Sequence, residues 1–387
     1  MLKKTSVIAV TAALALILAG CSSGSSGNGA TKLDKLGDNE KSLSLLGWPG
    51  YAEDGSNDPA VDWVTPFEKE TGCQVTFKPY GTSDEALSLF KTGQYDAIAA
   101  SGDATLRLIA GGYVQPLNTD LIPSYANVYD FLKNRDWNTV DGETYGVPHG
   151  YGANLLMYNS DVVKPAPTSW SVVFDGASKY AGKVTAYDSP IYIADAALYL
   201  MKTNPSLGIT DPYALDATQL AAAVELLKAQ RANVGEYWSD YLKSIQSFET
   251  GNSVVGTTWQ VIKNSMSAKA HVEAILPSEG ATGWSDSWMV AANAKHVNCA
   301  YQWLNYIDTP KANAAATEYF GEAPVTADAC QYASDANFCT TYHAGDAAYA
   351  AKIWYWTTPI AKCLDGRTDV QCTDYSAWTK AWQEVKG

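Results

Sequence analysis

Histidine is scarce in this 387-residue sequence and never clustered: His149, His271, His296 and His343 stand far apart, and no two cysteines form a C-x-x-C. Zinc sites draw their ligands from such clusters, so no metal and no cofactor are expected. The sequence also lacks G-x-S-x-G, and no histidine sits beside a plausible serine partner. An exported hydrolase would then have no activated nucleophile. A carboxylate pair from Asp103, Asp188, Asp286 and Glu322, as in a glycosidase, is the enzymatic route left open, and the reading taken is that the chain is not an enzyme. Basic residues are outnumbered, 27 Lys and Arg against 41 Asp and Glu, for a formal net charge of −14. Phosphate binding demands a basic surface, so nucleic acid is not an expected partner.

Long apolar runs are missing as well, apart from Val7 to Ala19, which is too short to span a bilayer comfortably. It follows the basic start Met1-Leu2-Lys3-Lys4 and runs into small residues, the pattern of a signal peptide over residues 1–20. Leu18-Ala19-Gly20-Cys21 resembles the bacterial lipobox, whose cysteine is acylated and heads the mature chain. Residues 21–42, rich in Ser, Gly, Asn, Asp and Lys, read as a flexible tether. The expectation is an extracytoplasmic monomer held to the membrane by the lipid on Cys21 alone. Losing Lys3 and Lys4 with the leader takes the net charge from −14 to −16, and what remains is long enough for two domains.

Six further cysteines, an even number in an exported chain, suggest disulfides. Cys330 with Cys339 and Cys363 with Cys372 each close a short polar loop with matched spacing, which leaves Cys73 for Cys299. Sequence alone does not choose among the connectivities that six cysteines allow.

The stretch Gly280-Ala281-Thr282-Gly283-Trp284-Ser285-Asp286-Ser287-Trp288-Met289 sets two indoles on either side of a carboxylate, with glycines on the approach. An aromatic face attracts a cation through its quadrupole, and the Asp supplies the counter-charge. Ser253-Val254-Val255 likewise leads to Gly256-Thr257-Thr258-Trp259-Gln260. Both read as strand ends opening onto a cleft; the alternative makes the tryptophans core residues and Asp286 a surface cap. Before them, strands and helices alternate. Leu43–Trp48 reads as a strand, Asp58–Thr71 as a helix stopped by Gly72, and Cys73–Phe77 as a strand. Ser83–Lys91 follows as a helix, Tyr95–Ala100 as a buried strand, and Thr105–Ile109 as part of another helix. Such units build a parallel or mixed sheet whose ligands gather beyond its C-terminal strand ends, where Trp48, Tyr51, Ser101 and Asp103 lie.

Phe67-Glu68-Lys69-Glu70-Thr71-Gly72, Gly93-Gln94-Tyr95-Asp96, Tyr145-Gly146-Val147-Pro148, Thr168-Ser169-Trp170, Leu276-Pro277-Ser278-Glu279-Gly280 and Trp284-Ser285-Asp286-Ser287 occur in that order. Together they resemble the solute-binding proteins of ABC importers, most nearly the spermidine/putrescine-binding branch, from about Leu43 to about Pro324. The resemblance implies an α/β fold of the two-lobed, type II periplasmic-binding-protein kind, with a cleft between lobes and crossing hinge strands. It implies lobe 1 from residues 43–149 plus 284–325 and lobe 2 from 150–283 plus 326–387. A small cationic ligand and the permease subunits of an ABC transporter are the partners it implies, with a sugar-binding receptor as the alternative.

In that family's terms Trp48, Tyr51, Ser101, Trp259, Trp284 and Asp286 match cleft positions, and Asp286 matches the carboxylate that receives an ammonium. The family places two acids a helical turn apart in its second lobe, whereas Asp188-Ser189-Pro190-Ile191-Tyr192 offers at most Asp188. Asp103 and Glu322 stand where the family has aromatics, and are included in the expected site. Trp354-Tyr355-Trp356 either adds an aromatic wall or anchors a loop. An anion receptor built on Ser101-Gly102 at a helix start is a further reading, opposed by Asp103 next to it.

Overall fold

The computed structural model describes residues 32–387. The signal peptide, Cys21 and the first part of the expected tether lie outside the described residues.

Two sheets organise the chain. In the first, the strands Ser42–Gly47, Gln74–Pro79 and Ala97–Ala100 run parallel, with Ser42–Gly47 between the other two. The connections between them carry helices Val64–Thr71 and Ser83–Phe90. Ala97–Ala100 is an unbroken buried run of small apolar residues, as a strand covered on both faces requires. The sheet continues antiparallel through Ala281–Val290 and Val147–Ala153 to the edge strand Ala323–Pro324. The second sheet orders Val272–Ile275, Leu155–Asn159, Val255–Thr258, Val184–Tyr187 and Val234–Trp238 from edge to edge.

The chain changes sheets at Asn154, directly after Val147–Ala153, and returns between Val272–Ile275 and Ala281–Val290. Ala281–Val290 is therefore the beam of the molecule. Its last residues pair with Ala97–Ala100, and its first pair with the short parallel strand Ile353–Tyr355. All ten of its residues are buried. The stretch expected to be a strand end is thus a complete crossing strand, with its carboxylate in the middle. The pairing with Val147–Ala153 slips at this point, Asp286 lying opposite Gly150 and Ser287 opposite Pro148, so His149 is the extra residue of a bulge. Bulges kink the strand locally and re-aim side chains.

Three sequence expectations need adjusting or completing. The helix expected from Asp58 begins at Val64. Ahead of it, Asp54, Asp58 and Asp62 accept the amides of Ser56, Ala60 and Thr65 at 2.9 Å, local bonds that offer the backbone an alternative to helix. The end of the expected tether, residues 32–41, is laid along the first lobe rather than left loose. Asn118 Nδ2 donates to the carbonyl of Leu33, and Gly37 N to Asn298 Oδ1. Glu40 receives the amides of Asn298 and Cys299 at the start of helix Val297–Ile307. Burial alone would push the Glu40 carboxyl up, but these bonds outweigh it and hold it below its usual range. Lastly, all three pairings expected among the cysteines are present: Cys73–Cys299, Cys330–Cys339 and Cys363–Cys372.

Candidate ligand-binding cleft

A cleft of about 470 Å³ opens between the sheets, and most of its lining residues stand at the C-terminal ends of strands. That is where an open α/β sheet gathers its ligands. From the first lobe come Trp48, one residue past Ser42–Gly47, Tyr80, one past Gln74–Pro79, and Ser101, one past Ala97–Ala100. From the second come Tyr187, which ends its strand, and Trp259, which follows Val255–Thr258 and opens a short helix. Trp284 on the crossing strand and Trp356, just after Ile353–Tyr355, complete the walls.

Rings dominate this surface and hold one another. Trp48 lies 4.5 Å from Tyr80, Trp259 5.2 Å from Trp284, and Tyr187 stacks on Trp356 at 5.6 Å, measured between ring centres. Indole nitrogens inside an apolar wall need acceptors, and three of the four here have one, while Trp356 Nε1 has none among the described residues. Trp48 Nε1 donates to Ser101 Oγ at 3.3 Å. Trp284 Nε1 donates to Glu322 Oε2 at 3.2 Å. Trp259 Nε1 donates to Asn154 Oδ1 at 2.9 Å, Asn154 Nδ2 to Thr282 Oγ1 at 2.6 Å, and that hydroxyl to Asp195 at 3.0 Å. This chain ties the Trp259 indole to the point where the backbone changes lobes. Glycine makes room for it all in Val147–Ala153: a Cβ on Gly152 would sit 2.3 Å from the Trp284 ring, and one on Gly150 2.2 Å from the Glu322 carboxyl carbon.

Asp286 is the buried acid among the residues that line the cleft, only 2 % exposed. Its Oδ2 accepts the Tyr51 hydroxyl at 2.8 Å, while Oδ1 has no hydrogen-bond partner among the described residues. Burial raises its pKa, and Ser101, Tyr51 and Trp48 around it hold part of that rise back. Glu322 lies behind it, 0 % exposed, beside the same Tyr51 hydroxyl. Burial first, and the Asp286 charge second, drive the Glu322 carboxyl well above the usual range. His149 Nε2 is 3.7 Å from Glu322 Oε1, but burial pushes that imidazole down to about 3, so it brings no positive charge at neutral pH. With no cation beside them among the described residues, the two neighbouring carboxyls oppose each other's ionisation, and Glu322, fully buried, is driven up by both burial and the Asp286 charge.

Of the residues expected in the site, Trp48, Ser101, Trp259, Trp284 and Asp286 line the cleft together. Four do not. Tyr51 and Glu322 form a layer behind Asp286, with Tyr51 packed against His149 and Phe320. Asp103 is buried in the first turn of helix Gly102–Ala110, where it accepts the Ser83 hydroxyl at 3.0 Å and burial pushes it up to about 7. Asp188 turns toward the C-terminal helix Tyr375–Lys386, taking Lys386 Nζ at 2.7 Å and Trp382 Nε1 at 3.2 Å. Tyr80 and Tyr187 were missed, although the strand-end rule that selects Trp48 and Ser101 selects them too. Of the Trp354-Tyr355-Trp356 segment, Trp356 lines the cleft while Tyr355 is anchored by strand pairing and packing on Trp137 and Tyr151, so the segment has features of both readings.

A model of the family described as bacterial extracellular solute-binding protein matches residues 62–340. The putrescine-binding periplasmic protein PotF of Escherichia coli is 26 % identical over 298 residues, covering 73 % of this chain and 77 % of that one. The putrescine-binding periplasmic protein SpuD of Pseudomonas aeruginosa is 26 % identical over 392 residues, 96 % of this chain and 97 % of its own. Among solved structures, the Tp0655 (TpPotD) lipoprotein of Treponema pallidum superposes with a TM-score of 0.71 at 19 % identity, covering 89 % of this chain and 99 % of that one. That likeness is one of fold, the two-lobed architecture of type II periplasmic binding proteins. With the family model spanning well over half of it, this chain belongs to the bacterial extracellular solute-binding proteins, the non-enzymatic ligand carriers of ABC transporters.

Proposed function

We propose that the protein captures a small organic amine as a cation in the cleft and delivers it to the permease of an ABC importer, while a lipid on Cys21 keeps it at the outer face of the membrane. The observation that carries this reading is Asp286, a buried carboxylate with one oxygen unpartnered on a wall of aromatic rings. A buried charge without a partner is costly, so a closed, dry cleft favours a ligand that supplies the opposite charge. The rings add cation–π attraction around it. The names of PotF and SpuD, both putrescine-binding, point the same way. A neutral sugar would need a ring of donors and acceptors, and it would leave Asp286 unpaired.

Closure is expected about Val147–Ala153, Ala281–Val290 and Ala323–Pro324, bringing the rings of the second lobe down on an amine already held by the first. The test is calorimetric titration of the chain without its leader against putrescine, spermidine, a monoamine and a neutral sugar. Heat from at least one amine and none from the sugar is the expected result. Binding of the sugar alone would transfer the site to the sugar-receptor alternative.

A further inference from the structure

Resting on the reading of this cleft as an amine site, we infer that its ligand carries a single positive charge on an N-alkylated head, a tertiary or quaternary ammonium, and not the two or more primary or secondary ammonium groups of a polyamine. The charge count comes first. Among the described residues that line the cleft, Asp286 is the one buried carboxylate. Glu322 lies behind it, 0 % exposed and off the cleft surface, and burial and the neighbouring Asp286 charge both oppose a second negative charge there. Asp188, next to the cleft residue Tyr187, is already neutralised by Lys386 and occupied by the Trp382 indole. The remaining lining acid, Asp240, is exposed and spends Oδ1 on the amide of Leu242 at the start of its helix. A second ammonium deep in the cleft would be desolvated with no carboxylate to meet it.

Hydrogen-bond capacity supplies the second argument. A primary ammonium brings three N–H donors, each needing an acceptor once water is excluded. Around Asp286 part of the acceptor capacity is already in use: Oδ2 takes the Tyr51 hydroxyl and Ser101 Oγ takes the Trp48 indole, so three N–H donors on one ammonium would compete with these bonds for the remaining lone pairs. The facing residues Trp259, Trp284 and Trp356 present indoles, which donate and do not accept. An alkylated head makes the opposite demand. It has at most one N–H, and it spreads its charge over methyl or methylene groups that pack against ring faces, the arrangement by which aromatic cages hold quaternary ammonium ions. Trp48 with Tyr80, Trp259 with Trp284, and Tyr187 with Trp356 supply those faces around the single carboxylate.

Calorimetric titration of the chain without its leader against choline, n-butylamine, putrescine, 3,3-dimethylbutan-1-ol and glucose tests this. Choline is expected to bind about tenfold or more tighter than n-butylamine or putrescine, and its neutral isostere 3,3-dimethylbutan-1-ol and glucose not measurably. Putrescine binding as tightly as choline overturns the single charge, and n-butylamine doing so overturns the alkylated head; in both cases the amine reading of the cleft survives. If the neutral isostere matches choline, or if glucose binds and no amine does, the amine reading itself falls and this inference with it. Absence of heat from all three amines counts against both.

Discussion

The two walls of the cleft are made alike and charged differently. Each is a set of C-terminal strand ends carrying aromatic side chains, Trp48 and Tyr80 on one lobe, Tyr187 and Trp259 on the other. The first wall lines the cleft with a buried acid, Asp286, one of whose oxygens takes the Tyr51 hydroxyl while the other has no hydrogen bond among the described residues. The second wall has closed its own: Asp188 faces away, bound by Lys386 and Trp382 of the last helix. Buried charge is thus fixed on one lobe, Asp240 on the other being exposed, and ring surface is offered by both. A cation can dock on the first wall before closure, and the second wall then adds dispersion and cation–π attraction without a further charge to satisfy.

The sharpest way to break this contrast is to neutralise the first wall. Asp286→Asn keeps the shape and removes the charge, and it should weaken amine binding by about 2–5 kcal/mol, the usual consequence of losing one member of a buried charge pair. Calorimetry on both proteins reads the difference directly. If the variant binds amines as the original does, the charge is not where the contrast puts it.

Truncating the second wall should cost less. Trp259→Ala removes one ring from the cleft, and the expected loss is roughly 1–2 kcal/mol, similar for every cation that fits. Titration of the variant with a panel of amines checks both the size and the uniformity. A loss confined to ligands of higher charge would mean that Trp259 does more than present a face.

How much of this contrast can be read from sequence follows from how local each feature is. Alternating strands and helices, and the indoles at Trp48, Trp259 and Trp284 beside Asp286, announce themselves within a few residues. What happens beyond the next turn does not. Tyr51 follows Trp48 by three residues, yet the turn carries its ring behind Asp286. Glu322 ends up there because Gly150, far away in sequence, leaves space for it. Asp188 is lost to the site through Lys386, a partner 198 residues on. The third strand against the beam, Ile353–Tyr355, is three residues long and carries no period for a sequence pattern to reveal.

The hydrogen-bond chain behind Trp259 ends at Asp195, a buried acid whose effect on stability with pH can be worked out in sign. Burial pushes Asp195 up to about 7 despite the Thr282 hydroxyl, and Asp103 is likewise raised to about 7 by burial. A carboxyl that holds its proton more tightly when folded contributes stability that is whole below its ordinary 3.8 and lost as pH rises through 7. His149, pushed down to about 3, works in the other direction below its ordinary 6.5. Asp286, Glu322 and Asp308 are raised by burial as well, so the raised acids outweigh the lowered imidazoles of His149 and His343, and the ligand-free protein should melt higher near pH 5 than near pH 8. Asp195→Asn should flatten that dependence by on the order of 1 kcal/mol. Melting curves of both proteins across that range decide it, and an unchanged slope would mean Asp195 stays ionised.

The smallest expected effect tests the second wall most directly. Asp188 and Lys386 are each about a third exposed, so their ion pair is worth at most about 1 kcal/mol of stability. Asp188→Asn should lower the melting temperature slightly, since Lys386 loses its counter-charge and Trp382 keeps an acceptor in the amide oxygen. Amine affinity should stay within about twofold of the original, because Asp188 does not reach the cleft. Calorimetry and thermal melting on one preparation separate the two effects. Were affinity to fall about tenfold while the melting temperature held, Asp188 would have to leave Lys386 and meet the ligand on closure. The second lobe would then carry a charge after all, the cleft would accommodate a dication, and the difference between its walls would belong to the unliganded state alone.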